Sequence, residues 1–116
     1  MPMNDKCINY VELKVTDIQR AKAFYGTAFG WGFTDYGPNY SEFNDGHMKG
    51  GFEFSDTVEP QGGPLVVLYG LDLETLQQSI TDAGGTISAP VFEFPGGRRF
   101  HFKDPEGYEL AVWSET

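Results

Sequence analysis

The sequence predicts an α+β fold assembled from two similar β-α-β-β-β halves, and three observations carry that prediction. The first is an internal repeat. The run Val11-Glu12-Leu13-Lys14-Val15-Thr16-Asp17-Ile18 resembles Val66-Val67-Leu68-Tyr69-Gly70-Leu71-Asp72-Leu73, which sets Asp17 and Asp72 55 residues apart. The same spacing pairs Tyr25 with Ile80, Ala28 with Ala83 and Gly30 with Gly85. The second is a change of hydrophobic period within each half, from strand alternation to a helical stripe. The third is a series of short segments after each helix, separated by Gly, Pro, Asn and Asp. Together they define one domain over residues 1–116, with halves of about 7–57 and 64–116.

The elements follow in order. Val11, Leu13 and Val15 alternate with Tyr10, Glu12 and Lys14, the pattern of a two-faced strand. A helix then starts at Thr16 or Asp17, where Thr16 and Gln19 fit a capping box. Ile18, Ala21, Tyr25, Ala28 and Phe29 fall on one helical stripe, and Gly30 stops it. Residues 31–36 form a strand that turns at Gly37-Pro38-Asn39. Residues 40–43 and 48–54 form a hairpin about Asp45-Gly46, and residues 57–64 link the halves. In the second half, Asp72 caps a helix that buries Leu73, Leu76, Ile80 and Ala83 and ends at Gly84-Gly85. Strands over 86–91 and 98–103 flank Pro95-Gly96-Gly97. The tetrapeptide Asp104-Pro105-Glu106-Gly107 turns into a closing strand over 109–113. One helix covers only one face of each sheet. Two halves, or two chains, would close the bare faces around a concave surface.

Composition excludes several functions. A chain of 116 residues can bury a real core, and 40% hydrophobic with 16% aromatic content excludes disorder. A net charge of −9 with no Lys/Arg run excludes a nucleic-acid partner. No apolar run is long enough to span a membrane, and residues 1–5 carry no apolar leader. Cys7, the single cysteine, has no thiol partner within the chain, so a cytoplasmic, reducing location is expected.

The run Ile8-Asn9-Tyr10-Val11-Glu12-Leu13-Lys14-Val15-Thr16-Asp17, followed by Ala23-Phe24-Tyr25 and Phe29-Gly30-Trp31, resembles the vicinal-oxygen-chelate superfamily of glyoxalases, bleomycin-resistance proteins and extradiol dioxygenases. The stretch Gly97-Arg98-Arg99-Phe100-His101-Phe102-Lys103-Asp104-Pro105-Glu106-Gly107-Tyr108-Glu109-Leu110 is similar to the same group. The resemblance implies paired βαβββ modules in a cupped, incomplete eight-stranded barrel, and a homodimer. In catalytic members His and Glu side chains on four inner strand faces hold a divalent metal. Carried onto this sequence, the first ligand position is Tyr10, its repeat counterpart is Leu65, and the last is Ala111. On the strand over 48–54 only Glu53 offers a donor. Leu and Ala cannot coordinate, and neutral Tyr seldom does, so no cofactor is expected unless a metal occupies a relocated site.

Strand alternation puts Tyr10, Glu12 and Lys14 on one face and Glu109, Ala111 and Trp113 on another, both of which the resemblance turns into the cup. Glu12 and His101 are candidate acid–base residues. Tyr10, Tyr69, Arg99, Glu109 and Trp113 are candidate ligand contacts, the aromatics for a flat apolar body and Arg99 for a carboxylate or phosphate. Each has a plainer reading: ion pairs for Glu12 and Arg99, a structural hydrogen bond for His101, solvent for Glu109, dimer packing for the aromatics. Three functions therefore compete. The first is a metal-independent glyoxalase/bleomycin-resistance-like protein that binds a small organic molecule in an aromatic cup. The second is a lyase, isomerase or dioxygenase with a relocated metal or Glu12/His101 catalysis. The third is an interaction module whose cup its own side chains fill. The missing ligands favour the first over the second, and the polar cluster disfavours the third.

Overall fold

A computed structural model describes residues 5–116. The first half comprises β1 (Tyr10–Val15), α1 (Ile18–Phe29), β2 (Gly32–Asp35), β3 (Tyr40–Asn44) and β4 (Lys49–Phe54). The second comprises β5 (Val66–Tyr69), α2 (Leu73–Asp82), β6 (Thr86–Phe94), β7 (Gly97–Lys103) and β8 (Glu109–Ser114). Each half forms its own four-stranded sheet, ordered β1-β4-β3-β2 in one and β5-β8-β7-β6 in the other. The first strand of each sheet runs parallel to the last and the other pairs are antiparallel, so the repeat holds through topology. The two sheets do not close into a barrel.

Both helices start where the repeat places them. The Asp17 carboxylate accepts from the Arg20 amide at 3.0 Å and Asp72 from the Thr75 amide at 3.1 Å. The expected Thr16–Gln19 box does not form. Thr16 is instead held through its amide and hydroxyl by the Glu106 carboxylate, each at 2.8 Å, and Arg20 meets the same carboxylate at 3.0 Å. Asp17 is thus the cap, and the Glu106 carboxylate engages Thr16 and Arg20 beside it, which ties the two halves together. Gly30 caps α1 in the left-handed region at φ 75°, whereas α2 is capped at Ala83, two residues before the repeat counterpart Gly85, and the positive φ falls on Gly84. The Asp45-Gly46 connection is longer than a two-residue hairpin. Asn44 and Asp45 carboxamide and carboxylate oxygens accept from the amides of Gly46, His47 and Met48, and β4 begins only at Lys49. β6 extends to Phe94 through two register shifts.

One core serves both halves. Val15, Phe43 and Phe52 from the first sheet, and Phe100, Phe102, Leu110 and Val112 from the second, join Ile18, Phe24, Tyr25, Leu73 and Ile80 of the helices. Phe24 lies 6.1 Å from Phe102, and Tyr25 lies 5.5 Å from Phe52, so α1 touches both sheets. At the seam the Tyr25 hydroxyl donates to buried Asp104 at 2.8 Å, and the Tyr108 hydroxyl donates to the Lys14 carbonyl at 2.7 Å. The helices therefore fill the space between the two sheets. It follows from strand alternation that the opposite faces, with Tyr10 and Glu12 on one sheet and Trp113 and His101 on the other, point away from the shared core on different sides.

Candidate functional site

On the outer face of the first sheet, Tyr10 and Glu12 of β1 and Tyr40 and Glu42 of β3 flank β4. Glu12 and Glu42 both stand opposite Gly51. A Cβ at Gly51 would overlap the Tyr40 hydroxyl and come within 2.9 Å of that of Tyr10, so the missing side chain is what lets the phenols meet over β4. Their oxygens are 2.7 Å apart. Tyr40 donates to Glu12 at 2.9 Å, Tyr10 reaches Glu42 at 3.4 Å, and Lys49 lies 3.8 Å from Glu42. Burial, then the bonds to Tyr10 and Glu12, pushes the Tyr40 phenol far above its ordinary value, and burial raises Tyr10. Both phenols stay protonated as donors across the physiological range.

The outer face of the second sheet is aromatic. Register places Arg99 opposite Trp113 and His101 opposite Ala111 on β8, with Phe92 opposite Arg99 on β6. The Arg99 guanidinium lies 5.4 Å from the Phe92 ring centre and 5.6 Å from that of Phe94. Trp113 packs edge-on against Tyr69 at 5.1 Å and near Phe94 at 6.2 Å. The Tyr69 hydroxyl donates to Glu115 at 3.1 Å, which raises its pKa. Glu109 accepts from Ser88 at 2.9 Å and meets the His101 Nδ1 at 3.3 Å. The Ser88 hydroxyl, and after it His101, holds Glu109 below the usual carboxylate range. An ionised Glu109 can only accept, so Nδ1 carries the proton and a neutral His101 presents its lone pair on Nε2. That Nε2 is buried without a partner, as is the Arg99 Nε.

These faces correct one expectation. Within a single chain Glu12 and His101 do not form a pair. Glu12 belongs to the tyrosine network and His101 to Glu109, on sheets that turn their outer faces apart. Tyr69 and Trp113 share a face with Arg99, His101 and Glu109, and Tyr10 does not join them. Glu12 and Arg99 do not take the ion-pair reading either, since Arg98 is the residue that binds Glu74, at 2.8 Å. Sequence reasoning missed Tyr40, Glu42, Gly51, Phe92 and Phe94. A usable signal existed for two of them: Tyr40-Ser41-Glu42 repeats the spacing of Tyr10-Val11-Glu12.

Register also settles the uncertain fourth metal position. Ala111 stands opposite Val67, and the repeat carries Val67 to Glu12, which stands opposite Gly51. The counterpart of Ala111 is Gly51, and Glu53 lies two residues beyond it. Tyr10, Gly51, Leu65 and Ala111 together offer one phenol, a donor set that does not fit a divalent metal. Among the described residues no three His, Cys, Asp or Glu side chains gather to hold an ion.

Between the edge strands β1 and β5, on the helix side, runs a cleft of about 620 Å³. Val11, Leu13, Phe29, Val66, Leu68 and Leu110 give it apolar walls, and Val67 and Tyr69 at the β5 edge and Asp45 and His47 also line it. Among the described residues no helix is long and apolar enough to cross a membrane.

Known proteins agree with this architecture. A glyoxalase-related enzyme from Fulvimarina pelagi superposes with a TM-score of 0.80 at 18% identity, covering 94% of this chain and 88% of its own. A glyoxalase/bleomycin resistance protein/dioxygenase family enzyme from Burkholderia phytofirmans gives 0.81 at 19% identity, covering 93% and 98%. The fosfomycin resistance protein FosX of Listeria monocytogenes, complexed with Mn(II) and a dihydroxypropylphosphonic acid, gives 0.81 at 14% identity, covering 93% and 89%. At these identities the likeness is one of fold. A protein named as a glyoxylase, CFP32 of Mycobacterium bovis, is 28% identical over 115 residues, 90% of this chain. The chain spans only 44% of that relative's length. The family profile matches residues 7–112, nearly the whole described chain, and the chain belongs to the Glyoxalase/Bleomycin resistance protein/Dioxygenase superfamily.

Proposed function

We propose that this protein binds a small organic molecule in an aromatic cup formed between two copies of the chain, without the metal site usual in the superfamily. The observation that carries the reading is the pair of uncovered outer faces. Tyr10, Val67, Tyr69 and Phe92 are each more than a third exposed there, whereas Val66, Leu68 and Val91 on the other face of β5 and β6 are partly buried against the core. The two faces lie on different sides of the shared helices, so one chain cannot fold them together. A second copy can, by setting its second sheet over the first sheet of its partner. The cup would then have a wall of paired tyrosines and glutamates and a wall of Trp113, Phe92, Phe94, Arg99 and His101.

A second reading, catalysis, is favoured by one feature. Glu109 orients the Nδ1 proton of His101 and leaves Nε2 as a proton acceptor beneath the aromatic face. In that reading His101 with Glu109, not with Glu12 of the same chain, moves the proton, and the reaction is of the lyase or isomerase kind. Native mass spectrometry tests the assembly and the metal together. The expected species has twice the 12.9 kDa chain mass and no stoichiometric metal, and chelation leaves its melting temperature unchanged. A 12.9 kDa species at micromolar concentration, or one Ni, Zn, Fe or Mn per chain held through dialysis, would contradict it.

A further inference from the structure

We infer that the ligand taken by the aromatic face is an anion, a flat apolar body bearing a carboxylate or phosphonate, and that Arg99 is the residue that receives it. The inference rests on the reading that this face lines the ligand cup, and adds the chemical class of what enters.

The chain has 17 acidic residues against 8 basic ones, so an arginine without an acid beside it needs a reason. Of its three arginines, Arg20 binds Glu106 at 3.0 Å and Arg98 binds Glu74 at 2.8 Å. Arg99 has no carboxylate among the described residues. Its guanidinium is held by the Phe92 and Phe94 rings alone, and its Nε is buried without a partner. Ring faces steady a guanidinium but do not satisfy its N–H donors. A buried, unsatisfied donor is costly, and a bidentate oxyanion removes that cost.

The surroundings fix the rest of the ligand. Trp113 and Tyr69, packed edge-on at 5.1 Å, stand as walls of the face beside Arg99. Phe92 touches both Arg99 and His101, whose ring centre is 5.8 Å away. An aromatic or similarly flat body lies on this surface with its oxyanion at Arg99, and the free His101 Nε2 accepts from a donor on the same ligand. Glu109 is engaged by Ser88 and His101, which leaves Arg99 as a cation without an acid partner on the face.

Calorimetric titration of the wild-type protein with 2-naphthoate, 2-naphthylphosphonate and the neutral 2-naphthamide tests this. Loss of one charge-assisted contact should weaken binding about 10- to 100-fold, so the amide should bind that much more weakly than the better of the two anions. The stronger anion identifies which oxyanion the site takes. Arg99→Gln should erase the difference between anion and amide, and Arg99→Lys should restore part of it. The comparison among ligands on unaltered protein does not depend on either variant folding. Equal binding of all three compounds would overturn the anion assignment and leave the cup reading standing. Loss of dimerisation in Arg99→Gln, with no preference among the ligands, would assign Arg99 to a carboxylate of the partner copy and also overturn it. No binding of any of them overturns it too, and the cup reading is then decided by spin-label broadening between copies.

Discussion

Replacing Asp104 by alanine is expected to destabilise the fold by about 3 kcal/mol and lower Tm by roughly 10 °C, because one carboxylate holds the seam between the halves. Its Oδ1 accepts from the amides of Glu106, Gly107 and Tyr108, each at 3.0 Å, and its Oδ2 from the Tyr25 hydroxyl at 2.8 Å. Asp104 is 6% exposed and Tyr25 1%, so alanine strands the hydroxyl and opens the turn that leads into β8. The charge itself contributes little. Burial raises the Asp104 pKa despite those four bonds, so its folded value lies above its unfolded one. The folded state then binds the proton more tightly. Stability from this group is greatest below the ordinary carboxylate range and declines as pH rises toward the folded value. Asp104→Asn keeps an oxygen for the three amides and offers an N–H to Tyr25, and should cost less than about 1 kcal/mol. Urea unfolding of the two variants separates the cases. Equal losses for Ala and Asn would mean that the charge, and not the acceptor geometry, matters.

Gly50→Ala is expected to cost about 3 kcal/mol, at the upper end for overpacking. Gly50 is buried on β4, between Val11 on β1 and Phe43 on β3. A Cβ there would overlap both the Phe43 ring and the Val11 carbonyl oxygen. A ring can rotate, but a strand carbonyl moves only with its sheet. Gly63→Ala is the control, since nothing lies within 4 Å of its added Cβ, and it should change stability by less than about 0.5 kcal/mol. Chemical denaturation of both variants reads the difference, and a Gly50→Ala protein as stable as the control would show that β4 shifts freely.

Much of the fold was legible because the repeat imposes it. Asp17 and Asp72 cap their helices 55 residues apart as aligned, and the alternation along β1 and β8 sorts core from outer face correctly. What a period of two cannot say is which sheet faces which. The stripe assigned to α1 omitted Phe24, which together with Phe29 packs against Phe102 in the other half. Ala21, Phe24, Tyr25 and Ala28 keep the i, i+3, i+4, i+7 spacing of an ordinary one-sided stripe, so the helical period does not reveal that α1 meets two sheets. The local capping-box signal also fell short at Thr16, where Asp17 is the cap and Glu106 engages the Thr16 hydroxyl. The tyrosine pair depended on Gly51, a position that shows in a sequence only as a glycine in a strand.

The arrangement of copies can be measured through Cys7, which is exposed, single and three residues before β1. A nitroxide is attached to Cys7 of unlabelled chains, and these are mixed with nitrogen-15-labelled chains carrying Cys7→Ser, so that any broadening of amide signals is between copies. If the first sheet of one copy faces the second sheet of the other, the broadened amides lie on β5 and β8 of the labelled chain, around residues 65–69 and 109–113. Absence of broadening between copies, or broadening confined to the helices or to the first sheet of the labelled chain, would contradict a cup shared between two chains.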